Sequence, residues 1–421
     1  MFCASIPSPL WMRFRWDAVP REAVFTRHCV ATIVMQNDSY VGGAVCLARS
    51  LRDTGATSDL VCLYTSDVSE KGVALLDRFF THIVEVPYVE HACAPIRWKK
   101  FEHMYVDWIS RSFTKIQIHV LTMYRKVFFL DADMLSVGNV EPIFRLTTPA
   151  GCISDPTGCG LPHGAPIPQG MIARTVRNLY GVSAGCWLLR PSLEDRDRMV
   201  RIVESAPVFG DPAFNAGPDE VLTTLFYARP GPVPLDHRAF LALPPVSSTR
   251  ATRWLNIGRE FNCLAWHRRR LDSGRMEPAP APFVTLPERG DAGREGEKPP
   301  RDANGDYPLW YRLARAQEAR VPRRTLIIHF ATEKPWAVMA GGEKTTDRIW
   351  PDFRLWFDTL EEVKRDVEAS GDELLAAAAR DLLPASPAPE DFVSEEEAER
   401  IYQAEKRRRP QRPRRKRSPS S

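Results

Sequence analysis

No stretch of this 421-residue chain is apolar over the length needed to cross a membrane. The opening segment, Met1 to Pro20, mixes Pro, Arg and Trp and never reaches the apolar length of a secretory signal. Both absences disfavour membrane insertion and secretion. Metal-binding cysteine spacing is missing as well: Cys152 and Cys159 are the only near pair, with no second pair or His at zinc-finger distance. The nine cysteines (Cys3, Cys29, Cys46, Cys62, Cys93, Cys152, Cys159, Cys186, Cys263) form an odd, scattered set, several inside apolar strand-like runs. Reduced, buried thiols in a cytoplasmic protein are expected from that usage, with the nucleus as the alternative given a basic tail. There is no internal repeat at solenoid or propeller spacing. Nor does the body of the chain carry an excess of positive charge. The formal net charge is +4, but Lys406 to Arg417 contributes nine basic and no acidic residues, so the remainder is mildly acidic.

An apolar content of 44% is that of an ordinary globular protein, and the length suffices for a large core. From Val30 to Phe144 strand-like and helix-like segments alternate. Val30–Met35 is followed by a helical stretch near Gly43–Leu51, then Leu60–Tyr64, a helix over Glu70–Phe80, Ile83–Val86, and a helix near Thr114–Tyr124. That alternation predicts a doubly wound α/β sheet, in which ligands bind beyond the carboxyl ends of the strands. Val182–Leu189 reads as a further strand, followed by a helix over Ser192–Glu204, and Phe353–Leu383 as an amphipathic helical stretch. Between His267 and Asp306 Pro, Gly, Arg and Glu dominate without periodicity, which predicts a poorly ordered insertion. The expected organisation is an N-terminal extension (1–28), a catalytic domain (29–360, interrupted by 267–306), a helical extension (361–405) and a basic disordered tail (406–421).

Two segments carry chemistry. Lys126-Val127-Phe128-Phe129-Leu130-Asp131-Ala132-Asp133 is an apolar strand that ends in two carboxylates two residues apart. Hard oxygen ligands of this kind suit magnesium or manganese, ions that share their coordination with substrate phosphates. An Asp-x-Asp pair is also what a solvated turn with a capping Asp looks like. The second segment, Leu326 to Trp336, repeats the architecture: a short apolar strand delivers His329, a ligand type that favours manganese, and Lys334 follows as a point charge for phosphate. A lone His after a strand is ordinarily a satisfied structural residue. The joint occurrence of the two segments is what favours a metal and diphosphate site. Pro335 and Trp336 would stiffen and shield the loop behind the lysine.

These residues resemble the retaining glycosyltransferases of family 8, of which glycogenin is the best-known member. Asn37-Asp38-Ser39-Tyr40 with Gly42-Gly43-Ala44 is similar to the family's first nucleotide-contacting loop, and Thr114-Lys115-Ile116 to the Thr-Lys-Leu ahead of the metal strand. Phe129 to Asp133 is similar to the aspartate motif, and Ser183-Ala184-Gly185 with Arg190-Pro191-Ser192 to the Asn-Ser-Gly strand. Asp219-Glu220 falls where an Asp-Gln pair opens a helix, and His329-Phe330 with Lys334-Pro335-Trp336 closes the set. The resemblance runs from about Val30 to Leu360, apart from the insertion. It implies a single nucleotide-sugar-binding α/β fold of the GT-A type with a mixed, largely parallel central sheet. It also implies a manganese ion, with magnesium as the alternative, held by Asp131, Asp133 and His329.

UDP contacts are implied from Val34, Asn37 and Tyr40 to the base, from Lys115 and Ala132 near the ribose and sugar, from Ser183 and Gly185, and from Lys334 to the diphosphate. Asp219 is the implied nucleophile or orienting carboxylate, a helix N-cap or first-turn carboxylate being the plain alternative. The expected activity is transfer of a hexose, glucose or galactose favoured, from a UDP-sugar to an acceptor that the sequence does not specify. Three departures stand out. Ser183 and Ala184 replace Asn and Ser, so donor preference can differ; Glu220 replaces Gln, adding a charge expected near the acceptor side; and Thr332 stands where many members have Gly. No Tyr is marked as a self-glucosylated acceptor. A dimer is compatible with the sequence. The competing expectation is a non-catalytic sugar-nucleotide fold acting through its basic tail, the one segment with which nucleic acid could be engaged.

Overall fold

Strands that must be buried on both faces cannot alternate polar and apolar residues, and the central strands here do not. In β2 (His28–Val34) the side chains of Val30 and Val34 enter one core, while Cys29, Ala31 and Ile33 enter the other. Phe128 and Leu130 against Val127 and Phe129 divide β5 (Lys126–Leu130) in the same way. Fully burying each such Phe or Leu contributes on the order of 1.5–3 kcal/mol.

The computed structural model describes residues 14–15, 28–94, 108–153, 161, 163–177, 180–210, 217–229, 231–243, 250–265, 325–331, 333–340, 343–344, 349–394, 396–398, 400–401 and 404. The expected insertion at 267–306, the tail at 406–421 and Thr332 lie outside them. Among the described residues the central sheet has the order β1 (Phe14–Arg15), β4 (His82–Glu85), β3 (Asp59–Tyr64), β2, β5, β9 (Val182–Leu189), β7 (Ala150–Ile153), β10 (Ala251–Asn256), β8 (Pro166–Pro168). β1 to β5 in this order pair in parallel, β9 runs antiparallel to both β5 and β7, β10 is parallel to β7, and β8 is antiparallel at the edge. The sheet is therefore mixed and largely parallel, as expected of the α/β class. The chain steps outward from β2 to β3 and β4, then returns to β5 on the other side of β2. The junction of β2 and β5 is thus a topological switch point, where a crevice opens at the carboxyl ends.

One face is covered by α1 (Val41–Asp53) and α2 (Glu70–Phe79); the other by the segment Ile109–Val120, α3 (Gln169–Arg177), α4 (Leu193–Glu204) and α5 (Pro218–Ala228), with the short α6 (His237–Leu241) nearby. Ser69 and Ser192 cap α2 and α4 by accepting from Gly72 N–H and Asp195 N–H. The helix expected near Thr114–Tyr124 is a 3-10 helix that runs over Ile109–Val120. The stretch expected over Phe353–Leu383 is two helices, α7 (Pro351–Ala369) and α8 (Glu373–Leu382), separated at Gly371, whose φ of 67° is one that glycine adopts without strain.

The division at residue 360 needs correction. It falls inside α7, whose Leu360, Val363 and Val367 all enter the core that also takes in α1. Arg49 of α1 pairs with Asp366, and its Nη2 lies 3.6 Å from Glu362 Oε2, while Lys71 of α2 pairs with Asp381 of α8. The helical extension is thus a layer of the main fold. At the other end, Phe14–Arg15 adds an edge strand to the sheet and His28 already belongs to β2. The described cysteines are all free, six of them buried and Cys93 half-buried. No described helix is long and apolar enough to cross a membrane.

Candidate functional site

The acidic pair sits where β5 ends, at the switch point. Asp131 N–H donates to Gly185 O (3.0 Å) and Met134 N–H to Asp131 O (3.2 Å), and the turn they make leads into β6 (Met134–Ser136). A second, three-stranded sheet then brings the distant histidine in. β12 (Ile327–His329) pairs antiparallel with β6, with His329 opposite Met134, and parallel with β11 (Cys263–Leu264). Phe330 N–H donates to Asp133 O (2.9 Å), locking the two strand ends together. Backbone register alone therefore sets His329 beside the acidic pair.

One ligand atom from each of Asp131, Asp133 and His329 can be chosen so that all lie within 4.8 Å of one another. His329 Nε2 is 3.3 Å from Asp133 Oδ1, a buried oxygen with no hydrogen-bond partner. On the other side of the ring, Nδ1 is 2.8 Å from Asn262 Oδ1. Since an amide oxygen only accepts, Nδ1 carries a hydrogen, and the contact with Asn262 turns Nε2 toward the carboxylate. A buried carboxylate oxygen without a hydrogen-bond partner is what a cation relieves, and an oriented imidazole is what metal ligation needs. Gly185 completes the cradle, because a Cβ there would lie 2.8 Å from Asp131 Oδ2 and 3.1 Å from His329 Cε1. The donor set, two carboxylates and an imidazole, fits a divalent ion.

Two lysines enter the cluster. Lys334 donates to Asp133 Oδ2 and to Phe330 O (2.9 Å). Burial would push the Asp133 carboxyl up, but Lys334 and His329 outweigh it and hold the group well below the carboxylate range. Lys115, on the 3-10 helix, reaches both oxygens of Asp131 (2.7 and 3.0 Å) and lies 3.8 Å from Asp219 Oδ2. Its burial favours the neutral amine, yet Asp131 and Asp219 more than compensate and raise its pKa.

Asp219 lies in the first turn of α5 and not at its cap, which is Gly217, and it is only 1% exposed. No well-aligned hydrogen bond reaches either of its oxygens, although the Ser112 hydroxyl is close, and burial raises its pKa against the pull of Lys115.

The positions expected to contact the nucleotide are less uniform. Tyr40 is half-buried, edge-on to Trp336 at 5.3 Å, and near enough to the acidic pair that burial and then the charges of Asp133 and Asp131 raise its pKa. Asn37 is exposed at the carboxyl end of β2, with φ 71° and ψ −164°, a region that non-glycine residues enter only under strain; its side chain accepts from Ser39 N–H (2.9 Å). Val34, by contrast, is fully buried, and its carbonyl accepts from Thr65 N–H (3.2 Å). Ala132 and Ser183 are both buried close to the cluster, Ala132 O facing α1 at Gly43. Glu220 is not a charge on an acceptor surface. Its carboxylate accepts from Gly181 N–H (2.6 Å) and Ala184 N–H (3.1 Å), pinning the start of β9.

Asn262 carried no sequence signal, since only the fold places it behind His329. Gly185 could have been marked as a position of close approach. A broad groove of about 830 Å³ between Arg125, Arg190, Arg253 and Tyr227 lies at the opposite end of β5 and contains none of these residues.

No protein-family model matches the chain. An uncharacterised protein of Acanthamoeba polyphaga mimivirus is 32% identical over 167 residues, 39% of this chain and 55% of the relative. Human glycogenin-2 is 33% identical over 113 residues, 26% of this chain and 21% of the relative. The UDP-glucuronate:xylan alpha-glucuronosyltransferase 1 of Arabidopsis thaliana is 29% identical over 120 residues, 28% of this chain and 17% of the relative. Among solved structures, the glycosyltransferase GlyE of Streptococcus pneumoniae TIGR4 aligns with 82% of this chain and 64% of its own, at 11% identity and a TM-score of 0.40. The matches thus span about half of the viral relative and about a fifth of each named enzyme. Over these shared segments the chain is similar to glycogenin and to a plant glucuronosyltransferase.

Proposed function

We propose that the chain is a retaining glycosyltransferase that moves a hexose, glucose or galactose favoured, from a UDP-sugar to an acceptor, with manganese at the diphosphate. The observation that carries this reading is the convergence of Asp131, Asp133, His329 and Lys334, from segments about two hundred residues apart, at the carboxyl end of β5. UDP as the nucleotide is supported by the UDP-glucuronate donor in the name of the xylan glucuronosyltransferase relative. The catalytic unit in this reading runs from β2 through α8.

Asp131, Asp133 and His329 would hold the ion, which supplies Lewis-acid stabilisation of the charge that develops on the leaving diphosphate. Lys334 adds a second positive charge for that oxygen, in a pocket where burial strengthens it. Tyr40 and Asn37 flank the nucleotide end. Lys115 orients Asp131 through both oxygens, and Asp219 behind it fixes the ammonium. Because Asp219 is buried beneath Lys115, we assign it a positioning role and assign retention to attack from the face of the departing phosphate.

The test is metal-dependent UDP release from UDP-glucose, UDP-galactose and UDP-glucuronate by the full chain, with Asp133→Asn as control. Release with manganese that falls at least about a hundred-fold in the variant is expected. Turnover by the variant at wild-type manganese affinity, or no release from any donor, would refute the reading.

A further inference from the structure

Neither lysine of the site is held in reserve: each already neutralises one member of the acidic pair. Their attachments differ, however. Lys115 bridges both oxygens of Asp131 at 2.7 and 3.0 Å, with Asp219 behind it and only 9% of its side chain exposed. It is fixed. Lys334 engages one oxygen of Asp133, Oδ2, and among the described residues is otherwise anchored only to the carbonyl of Phe330, four residues back on its own loop. Its side chain is 18% exposed, and a flexible four-carbon stem lets the ammonium move while Pro335 and Trp336 hold the backbone.

The charges give this difference a consequence. Asp131, Asp133 and Asp219 set three carboxylates against the two ammonium groups of Lys115 and Lys334, so acidic groups outnumber basic ones. A diphosphate approaching that cluster is repelled, whereas addition of a dication reverses the sign. Adding the dication also places it against Lys334 across a single carboxylate.

We propose that Lys334 is the internal counterion of Asp133 in the metal-free protein. It competes with the divalent ion for that carboxylate and transfers to the diphosphate once the ion has bound, which makes metal binding precede nucleotide binding. This rests on the metal and diphosphate reading of the site. The opposite role, a clamp that orients Asp133 for ligation, would strengthen metal binding, so the sign of one measurement separates the two.

The experiment is titration of Mn2+ into the full chain without nucleotide, with the free ion followed by electron paramagnetic resonance. Wild type is compared with Lys334→Met and with Lys334→Gln, which keeps a donor for Asp133 but removes the charge. Both variants should bind Mn2+ on the order of tenfold more tightly, while their manganese-saturated forms bind UDP on the order of tenfold more weakly. Manganese affinity that is unchanged or reduced in whichever variant folds overturns the proposal, even if UDP binding weakens. Tighter manganese with unaltered UDP binding overturns the transfer to the diphosphate. If the wild-type chain takes up no Mn2+, the metal-centre reading fails first and the proposal falls with it.

Discussion

Gly185→Ala separates the stability of the fold from the integrity of the cluster. The residue lies within β9 with an ordinary strand backbone, so alanine meets no conformational barrier, and relief of glycine's entropy contributes about 0.5–1 kcal/mol. The added methyl would sit 2.8 Å from Asp131 Oδ2, 3.0 Å from Met134 Cε and 3.1 Å from His329 Cε1, where ordinary contacts begin at about 3.4 Å. Met134 can swing its terminal methyl aside. The other two neighbours cannot, since Lys115 holds Asp131 and Asn262 holds His329. Overpacking of this size costs about 1–3 kcal/mol, so the metal-free protein should lose about 0–2.5 kcal/mol in a denaturant titration with chelator. Manganese affinity should fall by about 10–100-fold, because two of the three ligands are driven off their positions. Both quantities can be read from one preparation, by denaturation and by Mn2+ titration. A folded variant with manganese affinity within about twofold of wild type would refute the assignment of Asp131 and His329 to one coordination sphere.

Asn37→Gly should stabilise the chain by about 1 kcal/mol, since a φ of 71° with ψ −164° costs glycine little, while UDP affinity falls; a destabilised variant in chemical denaturation would contradict the strain argument. Glu220→Gln should destabilise by about 1–3 kcal/mol, because one amide oxygen cannot accept from both Gly181 N–H and Ala184 N–H. An unchanged midpoint with altered acceptor use would instead return Glu220 to the acceptor side. Acid should weaken the fold through His119. This buried ring accepts from Ser192 N–H at Nδ1 (3.2 Å), and burial, then Arg196, lower its pKa from 6.5 to about 4. Between those values the unfolded chain binds the extra proton, so the contribution is complete above pH 6.5 and is lost, by about 3 kcal/mol, as pH falls toward 4. In His119→Gln the slope of stability with pH over that interval should flatten, and an unchanged slope would exclude His119 as its source.

The alternation of strand and helix, the parallel order and the strand that delivers the acidic pair were legible because apolar runs bounded by turns are local signals. The strands expected at Val30–Met35, Leu60–Tyr64 and Val182–Leu189 correspond to β2, β3 and β9. Two features were not local and were missed. The helix expected near Thr114–Tyr124 begins earlier, at Ile109, and its start and its 3-10 winding are decided by what its buried residues pack against, which no periodicity records. The seam drawn near residue 360 followed a change in composition, whereas the burial of Val363 and Val367 against α1 is a tertiary contact.

The site divides along the same line. Residue types with one dominant chemistry, the acidic pair, His329 and Lys334, could be named from spacing, while Asn262 and Gly185 acquire a role only through β11, β12 and β9. The departures from the family pattern are where that difference matters most. As sequence, Ser183-Ala184 and Glu220 read as separate losses, a missing sugar-orienting amide and a stray charge. In the fold they belong to one arrangement, in which the Glu220 carboxylate reaches across to the backbone N–H of Ala184 and of Gly181. A glutamine side chain offers a single acceptor and would leave one of these buried donors facing an NH2 group. The carboxylate therefore anchors the strand from which Gly185 meets the acidic pair. Changes in donor preference at Ser183 should accordingly be sought in a variant that leaves Glu220 in place, because loss of that anchor would disturb the cluster and the sugar pocket together.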